Sequence, residues 1–171
     1  MSASIAELAA AFHRRSVRAV LIGVYGANLF APGGQAVFPT ADADFLLPLD
    51  PDNLLHAWEA CGDCGLELWL GREPLDSPHD RWLAERMVQT RSLTRARGIP
   101  DQDVDLTLVM AGFDFERVWA ERRPFLIDGV EIQVASLQHI VASKYQADRP
   151  KDRLFLATHQ DALEQLLKRS K

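Results

Sequence analysis

Two aspartates stand two residues apart inside an otherwise apolar segment, FPTADADFLL at residues 38–47. Alternate side chains of a β-strand share one face, so Asp42 and Asp44 would point to the same side as Thr40 while the apolar residues between them point into the core. Two like charges this close repel each other, and burial would raise that cost. The chain must therefore fold so that this face of the strand meets either solvent or a cation.

A divalent cation would remove the repulsion, because Mg²⁺ prefers carboxylate oxygens and keeps positions for water and phosphate. A site that transfers phosphoryl groups with two metal ions needs a third carboxylate. Asp105 offers one near the start of the apolar segment VDLTLVM. If this strand lies beside the strand of Asp42 and Asp44, the three carboxylates converge. From the residues alone, solvated acids on an exposed strand face and an aspartate at the end of a turn remain the alternatives.

The order of the predicted elements favours a mixed sheet packed by helices. Strand segments such as VRAVLIGV alternate with helical segments such as SIAELAAAFHRR. The pair Asp128 and Gly129 predicts a tight hairpin turn in PFLIDGVEIQVA. Ser136 predicts the start of one helix, and Pro150 predicts the start of a single last helix. The expected fold class is α+β, with α/β-like alternation and C-terminal helices.

Length and charge exclude several classes of protein. The 171 residues suggest a single domain, 1–171, with a core large enough to fold without disulfides or metals as staples. A net charge of -5 gives no overall basic surface for nucleic acid, although it does not exclude a local basic groove. The N-terminal segment has no uncharged apolar stretch typical of a signal peptide, and no apolar run approaches a membrane span. We therefore expect a cytoplasmic protein with no membrane partner.

Upstream of the paired aspartates, VLIGVYGANLF predicts a strand, a glycine turn and the start of a helix. Backbone N–H groups at such a turn can hold a phosphate. The order of strand, glycine turn, helix, T-x-D-x-D strand and later strand aspartate resembles the nucleotidyltransferase-fold superfamily, the polymerase-beta-like enzymes. The matching positions are Gly23, Thr40, Asp42, Asp44 and Asp105.

The C-terminal part, GVEIQVASLQHIVASKYQADRPKDRLFLATH, is similar to the end of small bacterial members of this superfamily, including the AbiEii-like toxin transferases. Those members carry a helix with a lysine, then an arginine and a Lys-Asp pair that opens another helix. Here the residues are Lys144, Arg149, Lys151 and Asp152. Lys144 lies on the apolar stripe of its helix, so its amine would reach either a triphosphate or solvent as a snorkelling lysine. Asp152 would either position these cations or complement the helix dipole.

The resemblance implies a metal-dependent nucleotidyltransferase that transfers NMP from an NTP to an unidentified acceptor, which could be tRNA, a protein or a small molecule. It implies that Asp42, Asp44 and Asp105 are catalytic and bind Mg²⁺ or Mn²⁺, and that Asp105 also helps to deprotonate the acceptor. The residues that it assigns to the nucleotide site are Gly23, Thr40, Lys144, Arg149 and Asp152.

Two positions depart from the superfamily pattern. Val24 stands where the superfamily usually has Gly or Ser, and Phe38 and Pro39 stand where many relatives carry an arginine. A valine side chain would crowd a phosphate at the turn and offers no hydroxyl. These departures support the alternative of a non-catalytic nucleotidyltransferase-fold module that binds a partner protein or a nucleotide. A phosphatase with an aspartate nucleophile is disfavoured, because its D-x-D normally follows the first strand of a doubly wound sheet.

Overall fold

The computed structural model describes residues 3–34 and 36–170; positions 1, 2, 35 and 171 of the predicted 1–171 domain lie outside the described residues. Within those ranges the chain forms eight α-helices, and none of them is both long and apolar enough to cross a membrane. The helices are α1 (Ile5–Arg14), α2 (Gly23–Asn28), α3 (Pro51–Asp63), α4 (Arg81–Thr90), α5 (Phe115–Ala120), α6 (Leu137–Ala147), α7 (Pro150–Thr158) and α8 (Gln160–Arg169), with a 3-10 turn at Pro32–Gly34.

The strands form one mixed sheet in the order β4-β3-β5-β6-β2-β1-β8-β7. Their bounds are β1 (Val20–Ile22), β2 (Asp42–Leu46), β3 (Glu67–Leu70), β4 (Glu73–Pro74), β5 (Thr94–Ile99), β6 (Gln102–Thr107), β7 (Arg123–Ile127) and β8 (Val130–Val134). The pairs β2–β6 and β1–β8 are parallel, with Leu21 opposite Val134 in the second, and the other neighbours are antiparallel. The predicted mixed sheet packed by helices is confirmed.

Local sequence signals account for several element boundaries. The Ser136 hydroxyl accepts a hydrogen bond from the His139 N–H and caps α6, as its position predicted. The hairpin of β7 and β8 turns at Asp128 and Gly129, whose φ angles of 50° and 78° fit a primed turn. Both boundaries were predictable because the capping or turn residue acts on its immediate neighbours.

The single last helix expected from Pro150 is wrong, because the chain forms α7 and α8 with a break at His159. The His159 ring lies 4.9 Å from the Phe38 ring and 5.0 Å from the Phe155 ring, measured between centroids. The break lets both helices contribute leucines, Leu156 from α7 and Leu163 from α8, to the same core. Tertiary packing therefore overrides the continuous helical pattern.

Two hydrophobic cores lie on opposite faces of the sheet. On the first face α1, α3 and α4 cover the strands, and the rings of Phe12 and Phe45 meet edge to face at 5.4 Å. On the second face α2, α6, α7 and α8 pack against β1 and the end of β2 through residues such as Val20, Leu46 and Ile140. Because side chains alternate along β2, the residues between its core positions point to the second face, where a cleft lies.

Candidate functional site

Aspartates of two neighbouring parallel strands lie side by side on the second face of the sheet. In the register of β2 and β6, Asp42 is opposite Asp103 and Asp44 is opposite Asp105. Register partners share a face, so all four carboxyl groups point to the same side. Asp105 thus lies beside the strand that carries Asp42 and Asp44, as the sequence predicted.

A cleft of about 580 Å³ opens over Asp42 and Asp44. The opposite wall comes from α6 and α7, and it carries Lys144 and Arg149. The remaining lining residues come from the junction of β1 and α2, from Thr40 and from the segment that follows β6. The cleft therefore has an acidic side and a basic side that face each other. Asp105 is not among its lining residues and is only 6% exposed.

The pKa of Asp44 is raised from 3.8 to about 6. Burial is the largest cause, followed by the negative charges of Asp105 and Asp42 and by a hydrogen bond with Asp105, while the Lys144 ammonium acts in the opposite direction. The raised pKa of Asp44 therefore reflects burial first and the neighbouring carboxylates second.

Gly23 forms the junction of β1 and α2, and both its backbone conformation and its surroundings favour glycine. Its φ angle is +69°, and a Cβ atom there would lie 2.7 Å from Asp44 Oδ2. The absence of a side chain therefore lets the backbone turn and lets the Asp44 carboxylate approach it. Gly26 has a different role, because its missing Cβ brings α2 against the Leu21 carbonyl and the Ile140 side chain, each 3.2 Å from that position.

Thr40 and Val24 both line the cleft. Thr40 lies just before β2, where its hydroxyl accepts from the Asp42 N–H at 3.3 Å and donates to the Asp42 carbonyl at 3.1 Å. It therefore fixes the entry of the chain into the strand that carries both aspartates. Val24 is half-buried and packs against the core of the second face. The crowding of a phosphate by Val24 stays a prediction.

On the basic wall, Asp152 holds two cations together. It is 1% exposed, and it accepts from Arg149 Nε at 2.6 Å and from Arg149 Nη2 at 3.2 Å, while Lys144 Nζ lies 3.6 Å away. Lys144 also lies 4.7 Å from the centroid of the Phe155 ring. These contacts show the pairing alternative for Asp152, and they place the Lys144 side chain, only 13% exposed, in the cleft wall.

The surroundings shift the pKa values of Lys144 and Asp152 in this wall. Burial lowers the pKa of Lys144, against the opposing effect of Asp152. Burial also acts to raise the pKa of Asp152, but the hydrogen bonds and charges of Arg149 and Lys144 outweigh it and leave the pKa of Asp152 below 3.8. Asp152 is therefore a buried counter-ion that orients both cations at the cleft.

Arg95 is a site residue that the sequence analysis missed. It lies on β5 directly opposite Asp105, and it donates from Nε at 2.8 Å and from Nη2 at 3.0 Å to the two oxygens of that carboxylate. The same guanidinium lies 3.3 Å from Asp103 and 3.8 Å from Asp42. Alternation in the polar segment QTRSLTRAR, together with the short turn that leads to Asp103, was the signal that could have paired Arg95 with Asp105.

A divalent cation fits the acidic side through two carboxylates. Asp42, whose side chain is 47% exposed, and Asp44 both line the cleft and offer the oxygen ligands that Mg²⁺ and Mn²⁺ accept. A cation bound there would favour the ionised form of the Asp44 carboxyl, which burial and the neighbouring carboxylates disfavour. Over 3–34 and 36–170, no three His, Cys, Asp or Glu side chains are grouped as a ligand set for a metal ion. The third aspartate, Asp105, does not join these ligands because its carboxylate is paired with the Arg95 guanidinium.

The sequence matches no protein-family model and no curated protein. Among solved structures, the chain is similar to the antibiotic-resistance factor ANT(2'')-Ia. The solution structure of that factor has a TM-score of 0.53 and 16% identity over 95% of this chain and 86% of that chain. Its crystal structure in complex with adenylyl-2''-tobramycin has a TM-score of 0.52 and 17% identity over 95% and 91%.

Identities this low show the fold alone, and the fold is the nucleotidyltransferase fold that the motif order implied. The narrower resemblance to AbiEii-like transferases stays a prediction.

Proposed function

We propose that this protein is a metal-dependent nucleotidyltransferase that transfers NMP from an NTP to an acceptor. The observation that carries the proposal is that Asp42 and Asp44 line one side of a cleft whose opposite side carries Lys144 and Arg149. The fold supports it, since ANT(2'')-Ia was crystallised with adenylyl-2''-tobramycin, and an adenylyl group joined to a small molecule is what NMP transfer produces.

The acidic side would bind the catalytic metal. Asp42 and Asp44 would hold Mg²⁺ or Mn²⁺, which would supply positive charge to the phosphates as they react. The role in deprotonating the acceptor that the resemblance implies for Asp105 would require this carboxylate to be released by Arg95, which engages both of its oxygens. The reaction needs mainly charge neutralisation and in-line positioning, and both follow from fixed groups on rigid strands.

The basic side would hold the triphosphate. Lys144 and Arg149, both oriented by the buried Asp152, would contact its oxygens as charged donors. Thr40 and the bare backbone of Gly23 would border the nucleotide near the metal. Because the two sides of the cleft have opposite charge, a metal-bound NTP would meet cations at its phosphates and carboxylates at its metal ion.

Two observations favour the alternative of a non-catalytic nucleotidyltransferase-fold module. Arg95 engages both oxygens of Asp105, and Val24 occupies the turn where a small residue would leave more room. A module of this kind would bind a nucleotide or a partner protein without turnover.

Calorimetric titration with Mg²⁺ and a non-hydrolysable NTP tests the nucleotide site, and turnover of α-labelled NTP separates the enzyme from a module that binds without turnover. The wild-type protein should bind the metal nucleotide, and Asp44→Asn should lose that binding while keeping its fold. If the wild type does not bind and Val24→Gly does, the protein is a degenerate relative without activity. Incubation with α-labelled NTP and fractionated cell extract would then identify the acceptor, because the label would enter the tRNA, the protein or the small-molecule fraction.

A further inference from the structure

Three charged side chains form a row across adjacent strands of the sheet. Arg95 on β5 is opposite Asp105 on β6, and Asp105 is opposite Asp44 on β2. Directly paired residues share a face, so the guanidinium and both carboxylates point to the cleft side of the sheet. A fixed cation thus stands at one end of the acidic cluster, and the cleft opens at the other end.

The Arg95 guanidinium makes the contacts that a metal ion would make with Asp105. It bonds both carboxylate oxygens, at 2.8 and 3.0 Å, in the fork geometry that is the strongest form of this pairing. It also lies within 4 Å of Asp103 and Asp42, so one cation reaches three of the four acids on this face. Asp44 is the acid that Arg95 does not reach.

We propose that Arg95 occupies the place of a divalent cation at Asp105 and thereby lowers by one the number of divalent cations that the site binds. The inference rests on the proposed function insofar as Asp42 and Asp44 hold a metal ion. Arg95 is in this account a positioning residue, because it acts through Asp105 and not on the substrate.

Burial makes the guanidinium an effective competitor for this carboxylate. The Asp105 side chain is 9% exposed, and the Arg95 side chain is 30% exposed. A hydrated dication would have to shed water and displace two charge-assisted hydrogen bonds to reach Asp105. Asp42 and Asp44 line the open cleft and present no such barrier. Within the acidic cluster, Asp105 is therefore neutralised by Arg95, whereas Asp42 and Asp44 are accessible to a metal ion.

Counting bound Mn²⁺ by electron paramagnetic resonance tests the inference without any assay of activity. The comparison is between the wild type and Arg95→Met, which keeps much of the side-chain length and removes the charge. We expect Arg95→Met to bind one more Mn²⁺ than the wild type. Arg97→Met is the matched control, because Arg97 lies on the same strand but stacks 4.7 Å over the Trp69 ring. This control should bind the wild-type number, and equal numbers in Arg95→Met and wild type would overturn the inference.

The double variant Arg95→Met with Asp105→Asn locates the additional ion. It removes both charges of the pair, and it should return to the wild-type number of bound ions. If Arg95→Met alone is unfolded in EDTA, Mn²⁺ should restore its circular dichroism spectrum, because the ion replaces the guanidinium. Failure to fold at saturating Mn²⁺, with a folded double variant, would show that a dication cannot take this place and would end the inference.

The number of bound Mn²⁺ ions does not depend on whether the protein transfers nucleotides. The inference depends on the difference in bound ions between Arg95→Met and the wild type, whereas the proposed function depends on NTP binding and transfer. A protein that transfers no nucleotide but gains one Mn²⁺ on loss of Arg95 would refute the enzyme and leave the inference standing.

Discussion

Asp44 and Asp105 occupy directly paired positions on two parallel strands, so their carboxyl groups lie on the same face of the sheet. They differ in their neighbours, since Asp105 is held by Arg95 whereas Asp44 has only the more distant Lys144 as a favourable charge. The repulsion within the acidic cluster is therefore concentrated at Asp44. Removing that charge should stabilise the metal-free protein.

In EDTA, Asp44→Asn should raise the free energy of unfolding by roughly 3 kcal/mol near neutral pH, because raising the pKa from 3.8 to about 6 costs the ionised form about 1.4 kcal/mol per pH unit. The folded-state pKa of about 6 lies above the ordinary value of 3.8, so between these values the folded wild type binds a proton that the unfolded chain does not. The wild type thus gains stability relative to Asp44→Asn as the pH falls from about 7 towards 4. Urea unfolding across this range checks the trend, and a difference that grows on acidification would contradict it.

Gly23→Ala should destabilise the protein more than Gly65→Ala. Both glycines have φ angles near +70°, so both substitutions carry the cost of a left-handed alanine, on the order of 1 kcal/mol. A Cβ atom at Gly65 meets nothing within 4 Å, whereas one at Gly23 lies 2.7 Å from Asp44 Oδ2. The additional loss of thermal stability in Gly23→Ala over Gly65→Ala measures the cost of displacing the Asp44 carboxylate. Equal losses in the two variants would mean that this carboxylate moves away freely.

Lys144→Met should weaken binding of the metal nucleotide about tenfold, which corresponds to about 1.4 kcal/mol, with little loss of stability. The ammonium is largely buried at a cost that lowers its pKa, so an apolar side chain of similar length is tolerated by the fold. Lys151→Met is the control, because Lys151 lines the same cleft but is exposed. Equal effects of the two substitutions on the dissociation constant would argue against a specific contact of Lys144.

Asp152→Asn should lower the free energy of unfolding by about 2 kcal/mol, because it leaves two cations without their buried counter-ion. Asp148→Asn removes a carboxylate from the exposed pair with Arg153 and should change stability little. The pKa of Asp152 lies below its ordinary value, so its contribution is present at neutral pH and is lost as the pH falls below about 4. Comparison of the two variants by urea unfolding near neutral pH and at acidic pH tests both statements.

The sequence was informative where a local rule determines placement. Alternation along FPTADADFLL and VDLTLVM placed Asp42, Asp44 and Asp105 on matching faces, and the pairing of β2 with β6 has that arrangement. The turn at Asp128 and Gly129 followed from backbone preference alone. The assignment of these aspartates to metal binding and catalysis stays a prediction.

Features that depend on contacts between distant parts of the chain could not be predicted from local sequence patterns. The break at His159 arises because its ring packs against Phe38, which is remote in sequence. The guanidinium of Arg95 belongs to the site only because β5 pairs with β6 in a register that brings it opposite Asp105. Periodicity identifies the face on which a side chain lies, but partner choice depends on the assembled sheet.

The parallel pairing of β1 with β8 has a consequence for how the cleft comes into being. Leu21 and Val134 are more than a hundred positions apart in the chain, and Lys144 follows this pairing directly on α6. Contacts of such high sequence separation raise contact order and slow folding, because a long loop must close before the contact is gained. During synthesis the acidic strand would therefore leave the ribosome well before the lysine that faces it. The two charged sides of the cleft become opposed only after α6 and α7 have been made.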